Sequence, residues 1–144
     1  MTEPGAGGSD QPQISQQQLV NLVPFAGMVG AELMSATPEE VKGRLEWSKE
    51  RCTAGGVLHG GALMTLADTL GALCAFLNLP PGAQKTSTIE SKSNFFRAVR
   101  EGHVESISRP LHAGRSTIVV QTDLFDGEGR RVAQTTQTQA VISG

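Results

Sequence analysis

Tyrosine is missing from this 144-residue chain and aromatic residues make up only 4% of it, so a base-stacking surface for nucleic acid has little to be built from. Charge is just as sparse. Twelve Lys and Arg against 14 Asp and Glu leave a formal net charge of −2, which gives neither nucleic acid nor an anionic membrane an electrostatic hold. The only two cysteines, Cys52 and Cys74, lie at no metal-ligand spacing, and no disulfide framework is implied. His103 and His112 have no ligand partners at useful spacing, and no Gly-x-Ser-x-Gly elbow supports a serine hydrolase. The first residues carry no basic-then-apolar signal, so the expectation is a reducing, cytoplasmic setting. There are no internal repeats, and the length fits one domain with a core of its own.

What is present is one long apolar stretch, His59 to Asn78. Read as a helix from Gly61, it puts Leu63, Leu66, Leu70, Leu73 and Leu77 along one side as a stripe that needs a core. Asp68 is its sole carboxylate or amine, among Gly61, Thr65, Gly71, Ala72 and Ala75, with Met64 the only bulky neighbour. A surface helix would carry more charge on that side, so the expectation is a helix enclosed nearly all round. A membrane span of this length is disfavoured by Asp68 at its middle and by two internal glycines. An enclosed carboxylate is costly unless it is paired, hydrogen-bonded or employed. A purely structural Asp68 competes with a chemical one, and the helix start weighs for chemistry. Gly60 and Gly61 lead into a first turn whose N–H groups lack helical partners, and glycine lets a ligand approach them. A donor aimed at a carbonyl oxygen is what acyl transfer needs, at about 3–4 kcal/mol per donor. Asp68, two turns further on, could act as general base on water or as a nucleophile forming an anhydride.

Around this helix the chain predicts an α+β domain over residues 14–144, after a Gly-, Pro-, Ser- and Gln-rich leader at 1–13 expected to be disordered. Ser15 can cap a short helix ended by Pro24. Phe25 to Met34 reads as a first strand, and Val41 to Trp47 alternates as a second. Leu79-Pro80-Pro81-Gly82 stops the long helix. Lys85 to Arg97 alternates, with Thr86, Thr88, Glu90, Lys92 and Asn94 as one polar row suited to the wall of a site; Glu90 could be a second carboxylate there or the cross-strand partner of a cation. Gly102 to Ser108 reads as a shorter strand, Thr117 to Phe125 and Val132 to Ile142 as two more, with Asp126-Gly127-Glu128-Gly129 as a hairpin. Strands joined by tight turns predict an antiparallel sheet of about six strands curved around the helix. Its uncovered edge suggests a dimer or tetramer.

His59-Gly60-Gly61 followed by Leu66-Ala67-Asp68-Thr69 resembles the His-Gly-Gly…Ala-Asp/Glu signature of hotdog-fold acyl-CoA thioesterases, in particular the phenylacetate-degradation (PaaI-like) type and the 4-hydroxybenzoyl-CoA thioesterases. Thr88 to Ala98, the His112–Thr117 turn and the Asp126–Ala133 hairpin continue the similarity, which covers roughly Phe25 to Ile142. The resemblance implies a hotdog fold and thioester hydrolysis with no metal or redox cofactor, coenzyme A being part of the substrate.

By position, the resemblance makes Asp68 the catalytic carboxylate and Gly60 the amide that polarises the thioester carbonyl, with the two supplied by different subunits of a homo-oligomer. His59 would shape the pocket and Thr88 would orient the water. Gly61, Arg97, Arg115, Ser116 and Thr117 would meet coenzyme A, arginine being suited to bidentate phosphate contact. Six residues before the histidine the family usually has Asn or Gln; here Thr53 stands, shorter and without the amide's paired donor and acceptor. That departure sustains a second reading, a non-catalytic module binding CoA or an acyl carrier protein. A hotdog hydratase would need a different Asp and His arrangement from that of His59 and Asp68. The acyl group accepted is not set by these residues.

Overall fold

The computed structural model describes residues 14–144; the expected leader at 1–13 lies outside the described residues. Ser15 opens helix α1 (Gln16–Leu22) with a capping box: its hydroxyl accepts the Gln18 N–H, and the Gln18 side chain accepts the Ser15 N–H. Pro24 does not simply stop the chain. It occupies the first turn of a second helix, α2 (Pro24–Val29), where a missing N–H costs nothing and its fixed φ is already helical. Gly30, left-handed at φ 88°, ends α2. The strand expected over Phe25 to Met34 is therefore displaced to β1 (Glu32–Ala36).

Strand β2 (Val41–Glu46) alternates as its pattern requires, with Val41, Gly43 and Leu45 inward. A loop with one 3-10 turn at Lys49–Arg51 leads to the long helix α3 (Gly60–Leu77). Four strands follow: β3 (Ala83–Phe95), β4 (His103–Ala113), β5 (Thr117–Asp126) and β6 (Arg131–Ser143). They form one antiparallel six-stranded sheet in the order β1-β2-β4-β5-β6-β3, packed on α3 in the hotdog arrangement. The chain leaves α3 and crosses to the far edge, so β3 pairs only with β6 and its other edge is unpaired among the described residues. Strand β4 runs well past the expected end at Ser108. Pro110 is accommodated because the ladder slips between Pro110 and His112, where a missing donor is tolerated.

Leu63, Leu66, Leu70 and Leu73 are buried against Val41, Leu45, Val104, Ile118, Val120 and Leu124 from the sheet, so the predicted stripe is the core contact. Gly43 makes the closest approach possible: a β-carbon there would fall 2.0 Å from a δ-carbon of Leu70. α3 is long and apolar enough to cross a membrane, but half of it is buried inside this fold as the core helix. It is not enclosed nearly all round. The sheet covers one side, and in the single chain Met64 (44% exposed), Asp68 and Phe76 (48% exposed) lie along the open side at helical spacing.

The polar row expected on β3 is also broken. The β3–β6 register slips between Thr88 and Glu90, leaving Ile89 as a bulge. Thr88 pairs with Gln139, Ser91 with Gln137, Ser93 with Thr135 and Phe95 with Ala133, all on the buried side of β6. Glu90, Lys92 and Asn94 are therefore turned to the outer face, away from α3.

Candidate active site

His59 caps α3 with its imidazole: Nδ1 accepts the Gly61 N–H at 2.7 Å. The ring accordingly presents an unprotonated Nδ1 at the helix start. The Gly61 amide is spent on this bond, so its expected role toward a ligand has no free donor behind it. The Ala62 and Leu63 N–H groups bond the His59 carbonyl. That leaves the Gly60 N–H without a protein acceptor among the described residues. One free donor stands at the positive end of an 18-residue helix dipole.

Gly60 opens onto a groove of about 380 Å³ shared with Thr53, Leu63, Phe95, Arg97 and Val99. The Phe95 ring closes over it, so that a β-carbon on Gly60 would sit 3.4 Å from the ring. Thr53 lies at this groove, and its own N–H is committed to the Val57 carbonyl at 2.8 Å. His59 and Gly61 face a second groove of about 680 Å³ on the other side of the helix start, with Phe25, Met28, Cys52 and Thr65. Arg97 follows β3, its N–H bonded to the Val132 carbonyl.

Asp68 projects from the open side of α3. Neighbouring atoms exclude enough water to push its carboxyl above the ordinary aspartate range, and the influence of the Thr88 hydroxyl pulls the other way without cancelling the shift. Along α3 Asp68 lies eight residues from Gly60, roughly 12 Å at about 1.5 Å per residue. In one chain the two groups cannot address the same carbonyl.

Arg115, Ser116 and Thr117 form the β4–β5 turn, level with Ser87 and Thr88 through the pairs Thr117–Ala140–Ser87 and Ile118–Gln139–Thr88. Arg97 is at the opposite end of the sheet, beside Val132 and Ala133; the seven steps along β6 from Ala133 to Ala140 span roughly 23 Å. One chain does not bring these candidates into a single phosphate site. Glu90 faces outward and does not join Asp68.

Two residues at the site were missed in the sequence. Gln137 and Gln139 of β6 are fully buried, and their amides link α3 to Thr88. The signal was available: in β6 the inward row is Thr135, Gln137, Gln139, polar where a core strand should be apolar. Ser108 and Thr122, bonded to each other at 2.7 Å, continue that polar band across the sheet.

Comparison with known proteins places this geometry. Residues 55–133 match the thioesterase superfamily. The chain is 37% identical over 87 residues to the 1,4-dihydroxy-2-naphthoyl-CoA hydrolase of Escherichia coli, covering 60% of this chain and 63% of that protein, so the match spans under two thirds of that relative. It is 31% identical over 114 residues to ComA2 of Bacillus subtilis, covering 79% of this chain and 90% of that protein. The crystal structure of a thioesterase from Haemophilus influenzae superposes with a TM-score of 0.82 at 26% identity, covering 90% of this chain and 91% of that one.

Proposed function

The chain belongs to the thioesterase superfamily, and from that footing we propose that it hydrolyses an acyl- or aryl-CoA thioester to the free acid and coenzyme A. The observation that carries the reading is the pairing of a free Gly60 N–H at the start of α3 with a lone carboxylate, Asp68, on the open side of the same helix. The Gly60 N–H would donate to the carbonyl oxygen as negative charge builds there. Asp68 would either take a proton from the attacking water or attack the carbonyl carbon itself, giving an anhydride that water then opens; in both routes coenzyme A leaves as the thiol. The residues that act are the protein's own, and no metal or redox cofactor is invoked.

The roughly 12 Å between Gly60 and Asp68 supports a site made by two copies, Gly60 from one and Asp68 from the other. The unpaired edge of β3 and the exposed Met64, Phe76 and Ile89 are the surface a second copy would cover. A split site also reconciles the arginines. Arg97 would accompany Gly60 from one copy, and the 115–117 turn would accompany Asp68 and Thr88 from the other, so both could reach phosphates of one coenzyme A.

The E. coli relative's name, a hydrolase of 1,4-dihydroxy-2-naphthoyl-CoA, favours an aryl acyl group. Thr53 favours the alternative, a CoA-binding module without useful turnover, because its side chain is short at the groove where an amide would otherwise reach. Thiol release from a panel of aryl and aliphatic acyl-CoAs, with Asp68→Asn alongside, decides. Turnover lost in the variant supports hydrolysis; binding of CoA esters with wild type and variant equally inert establishes the module.

A further inference from the structure

Residues 52–58 form a short hairpin whose base and tip are held by different means. At the base, Cys52 and Leu58 pair across an antiparallel bridge, and the Thr53 N–H donates to the Val57 carbonyl at 2.8 Å. Leu58 is buried and donates its N–H to the Val99 carbonyl at 2.9 Å; His59 donates its own to the Arg51 carbonyl at 2.8 Å. The start of α3 is therefore tied down before the helix begins. At the tip no packing does this. Gly55 and Gly56 turn the chain at φ 81° and 73°, and a β-carbon on either would meet nothing within 4 Å among the described residues. Two side chains reach the tip instead: the Trp47 indole N–H donates to the Gly56 carbonyl at 3.0 Å, and Arg100 Nη1 donates to the Gly55 carbonyl at 3.2 Å. Both struts are rooted in one segment, because the Trp47 backbone N–H bonds the Gly102 carbonyl at 2.8 Å. Residues 99–102 thus hold one arm of the hairpin through Val99, and its tip through Arg100 and Trp47.

This hairpin is one wall of the groove onto which Gly60 opens, and Phe95 to Val99 are the other. Arg100 follows directly from the second wall and bonds the tip of the first, so its bond runs from wall to wall. We propose that Trp47 and Arg100 are positioning residues for the Thr53 wall: their two bonds hold the exposed tip, and Thr53 with it, at the groove width that keeps water from the Gly60 N–H. The chemical use of that N–H rests on the thioesterase reading above; the latch does not. A donor acts most strongly on developing charge where water is kept out. With the tip released, Thr53 swings outward on the Cys52–Leu58 bridge, while Gly60 stays where the Leu58 and His59 bonds fix it. Neither Trp47 nor Arg100 lines the groove, so whatever they contribute there passes through the hairpin. The loss on cutting either bond therefore falls chiefly on kcat.

The test is hydrogen exchange of the Thr53 amide, read by NMR in the ¹⁵N-labelled whole chain, beside steady-state kinetics on the best substrate of the acyl-CoA panel. Trp47→Phe keeps an apolar ring and removes the donor; Arg100→Met removes the second donor and keeps the aliphatic stem. Each is expected to speed Thr53 exchange roughly three- to tenfold, the weight of one lost hydrogen bond, with the Leu58 and His59 amides unmoved. Each should lower kcat by a similar factor, and Trp47→Phe joined to Thr53→Ala should lose no more than Thr53→Ala alone. If Trp47→Phe does not fold, Arg100→Met, at an exposed position, gives the same comparison. Thr53 exchange that keeps its wild-type rate, or that rises together with Leu58 and His59, overturns the latch. Losses in kcat that add in full overturn its route through Thr53. Because exchange needs no turnover, faster Thr53 exchange in a protein inert toward every CoA ester would keep the latch and sink the thioesterase reading. Unmoved exchange in an active protein would do the reverse.

Discussion

Gly71 of α3 and the amide of Gln137 of β6 occupy each other's space: a β-carbon on Gly71 would lie 2.0 Å from Gln137 Nε2. In an open helix, Gly→Ala stabilises by about 1 kcal/mol. Here the added methyl must displace a buried, hydrogen-bonded side chain, and overpacking of this kind costs about 1–3 kcal/mol. Gly71→Ala is expected to lower the melting temperature. In a Gln137→Ala background, where the obstacle is gone, the same substitution is expected to raise it. Thermal denaturation of the four proteins checks the sign in each background; a stabilising Gly71→Ala with Gln137 intact would show that the contact yields freely.

Asp68→Asn should keep the fold and lose turnover on the order of 10²–10⁴-fold, the usual weight of a positioned acid–base group. The variant also reports on stability. A carboxyl whose pKa is raised on folding holds its proton more tightly folded than unfolded. Its contribution is therefore greatest in acid and is lost as pH rises from the ordinary aspartate value through the raised one. Asp68→Asn should match wild type in acid and melt above it at neutral pH. Equal melting temperatures at both pH values would show that water reaches the carboxylate freely.

Since a working Asp68 must be ionised, the acidic limb of kcat/KM should stand above the ordinary aspartate range. A profile flat down to the ordinary range would remove Asp68 as base or nucleophile.

Arg97→Ala and Arg115→Ala should each raise KM for acyl-CoA and leave kcat nearly unchanged, since phosphate contacts far from the thioester hold ground state and transition state alike. The same pair of variants should have little effect on a short thioester lacking the nucleotide. A loss confined to kcat in either would place that arginine at the reaction and not at the phosphates.

Burial pushes the Cys74 thiol up to about 11. Its thiolate fraction at neutral pH is small and its surroundings are closed, so alkylation of native protein should spare Cys74 until the chain unfolds. Peptide mapping by mass spectrometry reads this directly; rapid native labelling of Cys74 would mean that α3 opens readily from the sheet.

The long helix and its inward leucines were legible in sequence because eighteen residues of consistent periodicity outweigh local ambiguity. The Asp126–Gly129 hairpin was legible because its turn chemistry is local. Pro24 was not, since a proline that ends one helix is equally able to begin the next, and only the packing of α2 decides. The face of Thr88 was legible, but not those of Glu90 to Phe95. Both sides of that stretch are polar, so nothing in the pattern registers a slipped residue. Gly60 and Asp68 stood out as a helix start and a lone charge. The buried Gln137 and Gln139, which bond the Ala67 carbonyl and the Thr88 hydroxyl, did not stand out: they are distant in sequence from the helix, and a Thr- and Gln-rich strand is ordinary until the sheet order places it under the helix. The strand order itself, with β3 outermost, lies in no local signal.

Ile89 gives β3 a spare link. The pairs on either side of it, Thr88 with Gln139 and Glu90 with Thr138, are those of an uninterrupted ladder from which Ile89 has been looped out. Removing that residue would leave the downstream side chains in phase with β6, whereas removing Ser91 or Lys92 would swap in for out from there to Phe95. Length can drift in this strand at the bulge without scrambling what faces the helix, and the kink there, beside Thr88, is what such drift would spend.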